Sequence, residues 1–286
     1  MMEQMNSRSS GHSVFISYAN EDRGWARRFA ESFRAAGVEV WMDEWSLAPG
    51  DALTSRISDE LSSGDTFVLI LSQNWVNSRW SQHEAALVET REFDERGIML
   101  VPVRIDDCTA PKYLQSWPTF DVQEDSNERI QSLVSRVAAS EDLNLLDMQP
   151  AAFERLVRDL LNTQGFQFPP QQPGGDRGID AYVTTQAKDP SGNSRQETWL
   201  VQAKHYRSRI PLVALDELVM ATASRPAVTG ALLVTSGQLT SVARQHLQES
   251  MSRTKSEVRV IEGGDIRRLL LQNPDLLFTY AKRGHQ

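Results

Sequence analysis

Hydrophobic residues in the first half of the chain recur with two alternating periods, one typical of strands and one typical of helices. The run Thr66–Leu71 suits a strand covered on both faces, whereas Trp25, Phe29 and Phe33 lie at helical spacing before the helix stop Gly37. The predicted strands span residues 12–18, 38–41, 66–71 and 98–104, and the predicted helices span residues 22–36, 51–63, 80–95 and 126–139. This alternation predicts a parallel α/β sheet with right-handed crossovers.

The second half starts with a different pattern. Asp147 is a candidate helix cap and Pro150 fits a first helical turn, and the apolar positions that follow form one helix face: Phe153, Leu156, Val157, Leu160 and Leu161. Gly165 ends this helix, and the Pro- and Gly-rich residues 169–178 form a loop. Strands over residues 179–185 and 198–204, joined by a turn over residues 188–194, predict a hairpin. A helix (212–224), a strand (231–235), a helix (239–250), a strand (258–261) and a terminal helical segment complete the pattern.

Length and composition indicate a globular protein of two domains. The chain has 286 residues, and a boundary within residues 140–147 gives a disordered tail over 1–11 and domains over 12–140 and 147–286. No apolar run is long enough to span a bilayer, and the polar start argues against a secretory signal. Cys108 is the single cysteine, which excludes intramolecular disulfides and Cys-rich zinc sites. We therefore expect a cytoplasmic protein without a membrane partner.

The charge is unevenly distributed along the chain. Residues 1–140 hold 13 basic and 22 acidic side chains, a net charge of −9, whereas residues 141–286 hold 17 and 16, a net charge of +1. The acidic half should repel nucleic acid. A locally basic stretch of the second half contains Arg195, Lys204, His205, Arg207 and Arg209, with Glu197 opposing. This stretch is either a solvated face or a surface that contacts DNA phosphates.

Three ordered motifs in the first half carry a family resemblance. The first strand ends in Phe-Ile-Ser-Tyr at residues 15–18 and is followed by Asp22; residues 41–50 read WMDEWSLAPG, and residues 78–84 read SRWSQHE. Over residues 13–137 the chain resembles a TIR (Toll/interleukin-receptor) domain. The resemblance implies a flavodoxin-like parallel sheet, a role in self-association, and in some members cleavage of NAD⁺ or formation of a nucleotide signal.

The TIR resemblance also implies a candidate site. Glu84, four residues after Trp80, occupies the place of the glutamate that catalytic members require. A carboxylate near the ribose of NAD⁺ can stabilise developing oxocarbenium charge. Four further residues would line the same cleft at the carboxyl edge of the sheet: Ser17, Tyr18, Trp41 and Asp43. The alternative is structural, because a carboxylate in a first helical turn suits the helix dipole and tryptophans are often core or assembly residues.

A second group of polar residues lies on and around the predicted hairpin. Gln202 and Lys204 face the same side of their strand, because side chains alternate with period two. If Asp180 faces that side too, a carboxylate, an amide oxygen and a lysine converge. Asp180, Gln202 and Glu154 could then hold a divalent cation such as Mg²⁺ for phosphodiester hydrolysis, with Lys204 orienting the attacking water or stabilising charge on the phosphate. The alternative is an ordinary hairpin with Glu154 exposed on its helix.

Over residues 147–271 the chain resembles the Mrr-like branch of the PD-(D/E)xK nucleases. The matching positions are Phe153-Glu154, the Gly-rich stretch 176–180, Gln-Ala-Lys at 202–204 and the segment 231–236. The superfamily has an acidic residue where Gln202 stands, and the Mrr-like branch commonly has glutamine there. The resemblance implies a mixed α/β restriction-endonuclease fold and a double-stranded DNA substrate. Asp176 and Arg177 could hold the loop or contact DNA.

Three functional hypotheses follow. In the first, the TIR-like domain binds a ligand or self-assembles and thereby regulates a nuclease. In the second, the TIR-like domain is an NAD⁺-consuming effector and the other domain recognises DNA. In the third, both domains only bind, which the set of Glu154, Asp180, Gln202 and Lys204 disfavours. The family resemblances imply a bacterial defence role against phage or plasmids.

Overall fold

The computed structural model describes residues 13–44, 66–77, 98–114, 117–123, 127–169, 180–188, 191–206, 210–255 and 257–283. The chain divides into two compact units, Met1–Leu143 and Asn144–Gln286. The predicted helices over residues 51–63 and 80–95 and the loop over residues 170–178 lie outside the described residues.

The first unit is built on a parallel sheet, which confirms the predicted α/β class. Its strands are β1 (Val14–Tyr18), β2 (Val40–Glu44), β3 (Thr66–Leu71), β4 (Met99–Arg104) and β5 (Phe120–Asp121). They are ordered β2-β1-β3-β4-β5, the flavodoxin-like order. β1 and β3 are buried along their whole length, as strands covered on both faces must be. The second strand starts at residue 40, whereas the sequence predicted a start at residue 38. The strand β5 was not predicted, because two residues are too few to show an alternating pattern.

Three helices accompany this sheet in the described part of the unit: α1 (Arg23–Ala35), α2 (Gln73–Asn77) and α3 (Asn127–Asp142). Phe29 and Phe33 of α1 are buried, as their spacing predicts. The hydroxyl of Ser72 accepts a 3.0 Å hydrogen bond from the Trp75 amide and so caps α2, which sequence periodicity did not reveal because it is only five residues long. Gly37 ends α1 with φ +83°, a backbone conformation that favours glycine.

The second unit contains a mixed sheet with the predicted hairpin at one edge. Its strands are β6 (Ala181–Lys188), β7 (Ser194–Lys204), β8 (Gly230–Thr235) and β9 (Val258–Ile261), in sequence order across the sheet. β6 and β7 are antiparallel, whereas β7, β8 and β9 are parallel. The hairpin strands are longer than predicted, because their outer halves are polar on both faces and carry no hydrophobic alternation.

Five helices belong to the described part of this unit: α4 (Pro150–Thr163), α5 (Leu212–Ala223), α6 (Ser241–Thr254), α7 (Gly263–Gln272) and α8 (Pro274–Arg283). The predicted apolar face of α4 is buried from Phe153 to Leu161, and Gly165 follows with φ +85°. The predicted cap Asp147 is wrong. Asn144 caps a single 3-10 turn over Leu145–Asp147 through the Leu146 amide, and α4 begins at Pro150 after the uncapped Gln149.

Helices cover this sheet on its two faces. Leu200, Ala231 and Leu233 pack with residues of α5 and α6 in one buried cluster. The intervening positions of β7 face the other way, where the Trp199 ring contacts Phe166, just beyond α4. Even-numbered residues of β7 therefore face the α5–α6 layer, and odd-numbered residues face the α4 layer. This parity decides which of the predicted site residues can meet.

Candidate nuclease site and TIR edge

The pairing of the hairpin strands brings Asp180 to the end of β7 that carries Gln202 and Lys204. Ala181 pairs with Val201, and the amide of Asp180, directly before β6, donates a 2.9 Å hydrogen bond to the Val201 carbonyl. Gln202 and Lys204 lie on one face of β7, because they are two positions apart on the same strand. Asp180 lies close enough to Lys204 for the ammonium charge to act on its carboxylate. The structure therefore groups the three residues at one end of the hairpin.

The three side chains differ in exposure and electrostatics. Gln202 is only 3% exposed and Lys204 is half-buried, whereas Asp180 is exposed. The Asp180 carboxylate accepts a 2.6 Å hydrogen bond from the Ala203 amide, which fixes its orientation. Partial desolvation raises the pKa of Asp180 above its ordinary value, while the Ala203 hydrogen bond and the Lys204 charge act in the opposite direction. The site thus holds one oriented carboxylate beside a buried amide and an ammonium group.

The turn after β8 supports the backbone around Lys204. Lys204 pairs with Thr235 in the parallel register. The next residue, Ser236, donates from its amide to the Lys204 carbonyl (3.4 Å) and from its hydroxyl to the Tyr206 carbonyl (3.2 Å). Gly263 leaves room for this turn, because a Cβ there would lie 2.7 Å from the Ser236 carbonyl oxygen. The sequence analysis assigned Ser236 no role. Its position directly after an apolar strand was the signal that could have indicated a supporting role in the site.

Glu154 lies on a different layer from the other three residues. It is exposed on α4, the helix on the odd-numbered face of β7. The first turns of α4 nevertheless lie beside the carboxyl end of β7, because the Phe153 ring contacts His205 at 5.5 Å between centroids. Glu154 therefore lies near the same end of β7 as Lys204 but on the other face of the sheet. Its membership of a metal site stays a prediction.

The fold separates the residues that the sequence predicted to form one basic surface. Nine positions of extended strand, roughly 30 Å, separate Arg195 from Lys204. Arg195 lies on the odd-numbered face and forms an ion pair with Glu197. His205 is half-buried, and its Nε2 lies 2.9 Å from the Leu145 carbonyl oxygen, which links the strand end to the 3-10 turn. Arg177, Arg207, Arg209 and Asp176 lie outside the described residues.

The donor set at this site fits a hard divalent cation. Among the described residues, no three His, Cys, Asp or Glu side chains group together as metal ligands. Mg²⁺ is commonly held by only one or two carboxylates, together with waters and substrate phosphate oxygens. The Asp180 carboxylate and the Gln202 amide supply oxygen atoms at the same end of the hairpin. These residues fit the predicted Mg²⁺. Because only one of the two groups is a carboxylate, ligand positions on the ion remain for the substrate.

At the carboxyl edge of the first sheet, the structure shows only part of the predicted NAD⁺ cleft. Ser17 and Tyr18 are almost entirely buried, whereas Trp41 is 46% exposed on β2. Asp43 pairs with Ser17 through the strand backbone, and its side chain lies outside the described set. Trp80 and Glu84 also lie outside the described residues. Their proximity to Ser17 stays a prediction.

A buried polar cluster at the same edge was missed by sequence reasoning. Asp22, only 9% exposed, accepts hydrogen bonds from the Ser72 hydroxyl and, at 2.8 Å, from the Asn74 amide. These bonds join the start of α1 to the start of α2, after β1 and β3 respectively. The residues are 50 or more positions apart in sequence, so spacing alone gave no signal. The cluster holds the two loops that border the end of β1.

The described helices include none with the length and apolar composition that crossing a membrane requires.

Comparison with known proteins assigns each unit to a family. Residues 14–134 match the TIR domain family model, and residues 145–270 match the Mrr catalytic family model, described as restriction endonuclease. Together these matches cover both sheets described above.

Similar curated proteins cover about a quarter to a third of this chain. An NAD(+) hydrolase, PdTIR of Paracoccus denitrificans (strain Pd 1222), is 40% identical over 74 residues, 26% of this chain and 25% of its own length. A 2′ cyclic ADP-D-ribose synthase, BtTIR of Bacteroides thetaiotaomicron, is 34% identical over 90 residues, 31% of each chain. The chain thus spans about a quarter to a third of the length of these relatives.

Among solved structures, MspJI restriction endonuclease in complex with a 27-mer oligonucleotide aligns with 64% of this chain and 38% of its own. The TM-score is 0.35 and the identity 17%, so this likeness carries no argument about the site. The assignment rests on the two family matches and on the sheets that they cover. The chain therefore contains a TIR domain over residues 14–134 and a restriction-endonuclease domain of the Mrr class over residues 145–270.

Proposed function

We propose that the second unit hydrolyses phosphodiester bonds of double-stranded DNA with a divalent metal ion. The observation that carries the proposal is the grouping of Asp180, Gln202 and Lys204 at one end of the hairpin, held by the β6–β7 pairing and by the Ala203–Asp180 hydrogen bond. The match to a restriction-endonuclease family supports the same reaction. An ordinary hairpin would not require a carboxylate, a buried amide and a lysine to converge at its end.

Asp180 and Gln202 would hold the Mg²⁺ ion, with Glu154 as a further candidate ligand at the same strand end. When bound, the ion polarises the scissile phosphate and lowers the pKa of a water molecule. The Ala203 amide keeps the Asp180 carboxylate in one orientation, and the Ser236 turn keeps the Lys204 backbone in place. Lys204 can then orient the attacking water and stabilise the negative charge that develops on the phosphate.

We expect Lys204→Gln to lower the DNA cleavage rate about 10²-fold, because loss of a group that stabilises transition-state charge typically costs that much. The rate is measured on supercoiled plasmid with Mg²⁺, and with EDTA as the metal-free comparison. Lys282→Gln is a matched control, since Lys282 is exposed on α8. A Lys204→Gln protein that cuts at the wild-type rate contradicts the role given to Lys204.

We further propose that ligand binding or self-association of the TIR domain regulates the nuclease. The first unit is acidic and the second is near neutral with local basic segments, so the first can compete with DNA for the second. Association would relieve this competition and raise the local concentration of nuclease sites. A trigger at the TIR domain would thereby increase cutting, which suits a bacterial defence protein acting on invading DNA.

Removal of residues 1–143 tests this regulation, because residues 144–286 form a compact unit of their own. For the full chain, the initial cleavage rate should rise more steeply than in proportion to protein concentration. The truncated protein should lose this steepness and any response to added NAD⁺. The rate is measured over a dilution series of both proteins. An identical rate and concentration dependence for the two proteins excludes gating by the first domain.

A second candidate function places the chemistry in the TIR domain, with the nuclease-like domain serving as a DNA sensor. The similarity to an NAD(+) hydrolase and a cyclic ADP-D-ribose synthase favours NAD⁺ as a substrate. The two functions differ in what DNA does. If the nuclease-like domain is the enzyme, DNA is cut. If the TIR domain is the enzyme, DNA stimulates the release of nicotinamide from NAD⁺. Incubation of the full chain with plasmid and Mg²⁺, with and without NAD⁺, followed by assay of both substrates, separates them.

A further inference from the structure

The edge strand β6 leaves one of its faces uncovered. Ala181 and Val183 are buried, whereas the alternating residues Tyr182, Gln186 and Lys188 are exposed. This alternation is typical of a strand with one packed and one solvated face. Because Asp180 directly precedes β6, the uncovered face begins beside the proposed nuclease site and continues along the hairpin.

The residues on this face form matched polar pairs across the two strands. The pairing of β7 with β8 starts at Trp199, so the hairpin extends beyond the four-stranded sheet. The hairpin face, as we name it, consists of Tyr182 and three cross-strand pairs: Thr184–Thr198, Gln186–Gln196 and Lys188–Ser194. Every one of these side chains can donate a hydrogen bond. Among the described residues of β6 and β7, the carboxylate of Glu197 lies on the opposite face, where the Arg195 guanidinium and the Trp199 indole bind it.

Arg225 adds a second cation beside the hairpin face. Its Nε donates a 3.1 Å hydrogen bond to the Tyr182 hydroxyl, and its Nη1 donates to the Ala221 carbonyl at 2.8 Å. These bonds hold the guanidinium next to Tyr182, two residues from Asp180. Lys188 lies at the far end of the same strand. The face therefore carries a positive charge near each end and hydrogen-bond donors between them.

We propose that the hairpin face, with Arg225, binds the sugar–phosphate backbone of the DNA duplex that enters the Asp180 site. This inference rests on the proposed nuclease function and specifies how the substrate is held. Phosphate oxygens accept hydrogen bonds from hydroxyl, amide and ammonium groups, and such contacts position a duplex without reading its sequence. The eight steps from Asp180 to Lys188 span roughly 27 Å, which corresponds to about eight base pairs at 3.4 Å each.

Salt-dependent DNA binding tests the inference without relying on cleavage. The full chain carrying Asp180→Asn is titrated onto a fluorescently labelled duplex in EDTA, and anisotropy is followed over a series of KCl concentrations. Adding Lys188→Gln should weaken binding about fivefold to tenfold at ~0.1 M salt and reduce the slope of log K against log salt by about 0.9, the loss of one phosphate contact. Arg225→Gln should act in the same direction. Circular dichroism checks its fold, because Arg225 also caps α5.

Two comparison variants locate the contact. Lys282→Gln, on α8, should leave affinity and slope unchanged, and Arg195→Gln, on the opposite face of the hairpin, should cost less than Lys188→Gln. If Lys188→Gln and Arg225→Gln both bind like the Asp180→Asn parent, the hairpin face does not hold DNA, even where cutting by the wild type upholds the nuclease proposal. An absence of DNA binding by the parent overturns the hairpin contact, and plasmid cleavage by the wild type with Mg²⁺ then decides the nuclease proposal separately. Hairpin-dependent binding without any cutting by the wild type supports the hairpin contact and contradicts the nuclease.

Discussion

Replacing Asp180 with Asn is expected to lower the rate of DNA cleavage at least about 10²-fold while leaving the fold intact. The amide has nearly the shape of the carboxylate, and its oxygen can still accept the hydrogen bond that the Ala203 amide donates. It lacks the negative charge that a divalent cation requires, and it no longer attracts the Lys204 ammonium. Initial rates on supercoiled plasmid with Mg²⁺ measure the effect.

The fold is checked by thermal unfolding of the same protein. The exposed position of Asp180 at the start of β6 leads us to expect a melting temperature close to that of the wild type. Nicotinamide release, where the wild type shows it, should persist in the Asp180→Asn protein, because the TIR domain is a separate compact unit. A variant that is folded and cuts plasmid at the wild-type rate would place the nuclease chemistry elsewhere.

The second large effect is expected at Glu84. We expect Glu84→Gln to reduce nicotinamide release from NAD⁺ by about 10²-fold or more, since a neutral amide cannot stabilise the oxocarbenium charge that develops on the ribose. Glutamine preserves the length of the side chain and its hydrogen-bonding oxygen, so the change isolates the charge. The reaction is followed by chromatography of nicotinamide over a range of protein concentrations and with DNA present.

Glu89→Gln is a control on the same predicted helix, five positions further along. It removes one negative charge from the acidic half without touching the proposed site, and nicotinamide release should continue. If Glu84→Gln releases nicotinamide as the wild type does, the carboxylate has no catalytic role. If the wild type releases none under any of these conditions, the TIR domain is an assembly or binding domain and the nuclease is the effector.

The spacing of apolar residues predicted most of the helices and strands, because each element must bury apolar side chains at its own period. A buried parallel strand such as Thr66–Leu71 needs apolar side chains on both faces, and a helix such as α4 needs an apolar stripe at its own period. Elements too short to repeat their period, such as α2 and β5, were not predicted for the same reason. The predicted cap of α4 was wrong, because Asp147 ends a separate 3-10 turn capped by Asn144 and α4 itself starts without a side-chain cap.

The sequence by itself determined that Gln202 and Lys204 share a strand face, because the period of two is a property of any extended chain. Tertiary structure decided that Asp180 lies beside them, through the pairing of Ala181 with Val201 and the hydrogen bond from the Ala203 amide to the Asp180 carboxylate. Tertiary structure also decided that Glu154 lies on the other layer and that Arg195 faces away beside Glu197. These placements depend on the packing of helices on a particular face of the sheet and on strand pairing. Both arise from contacts between residues far apart in sequence, which no local spacing records.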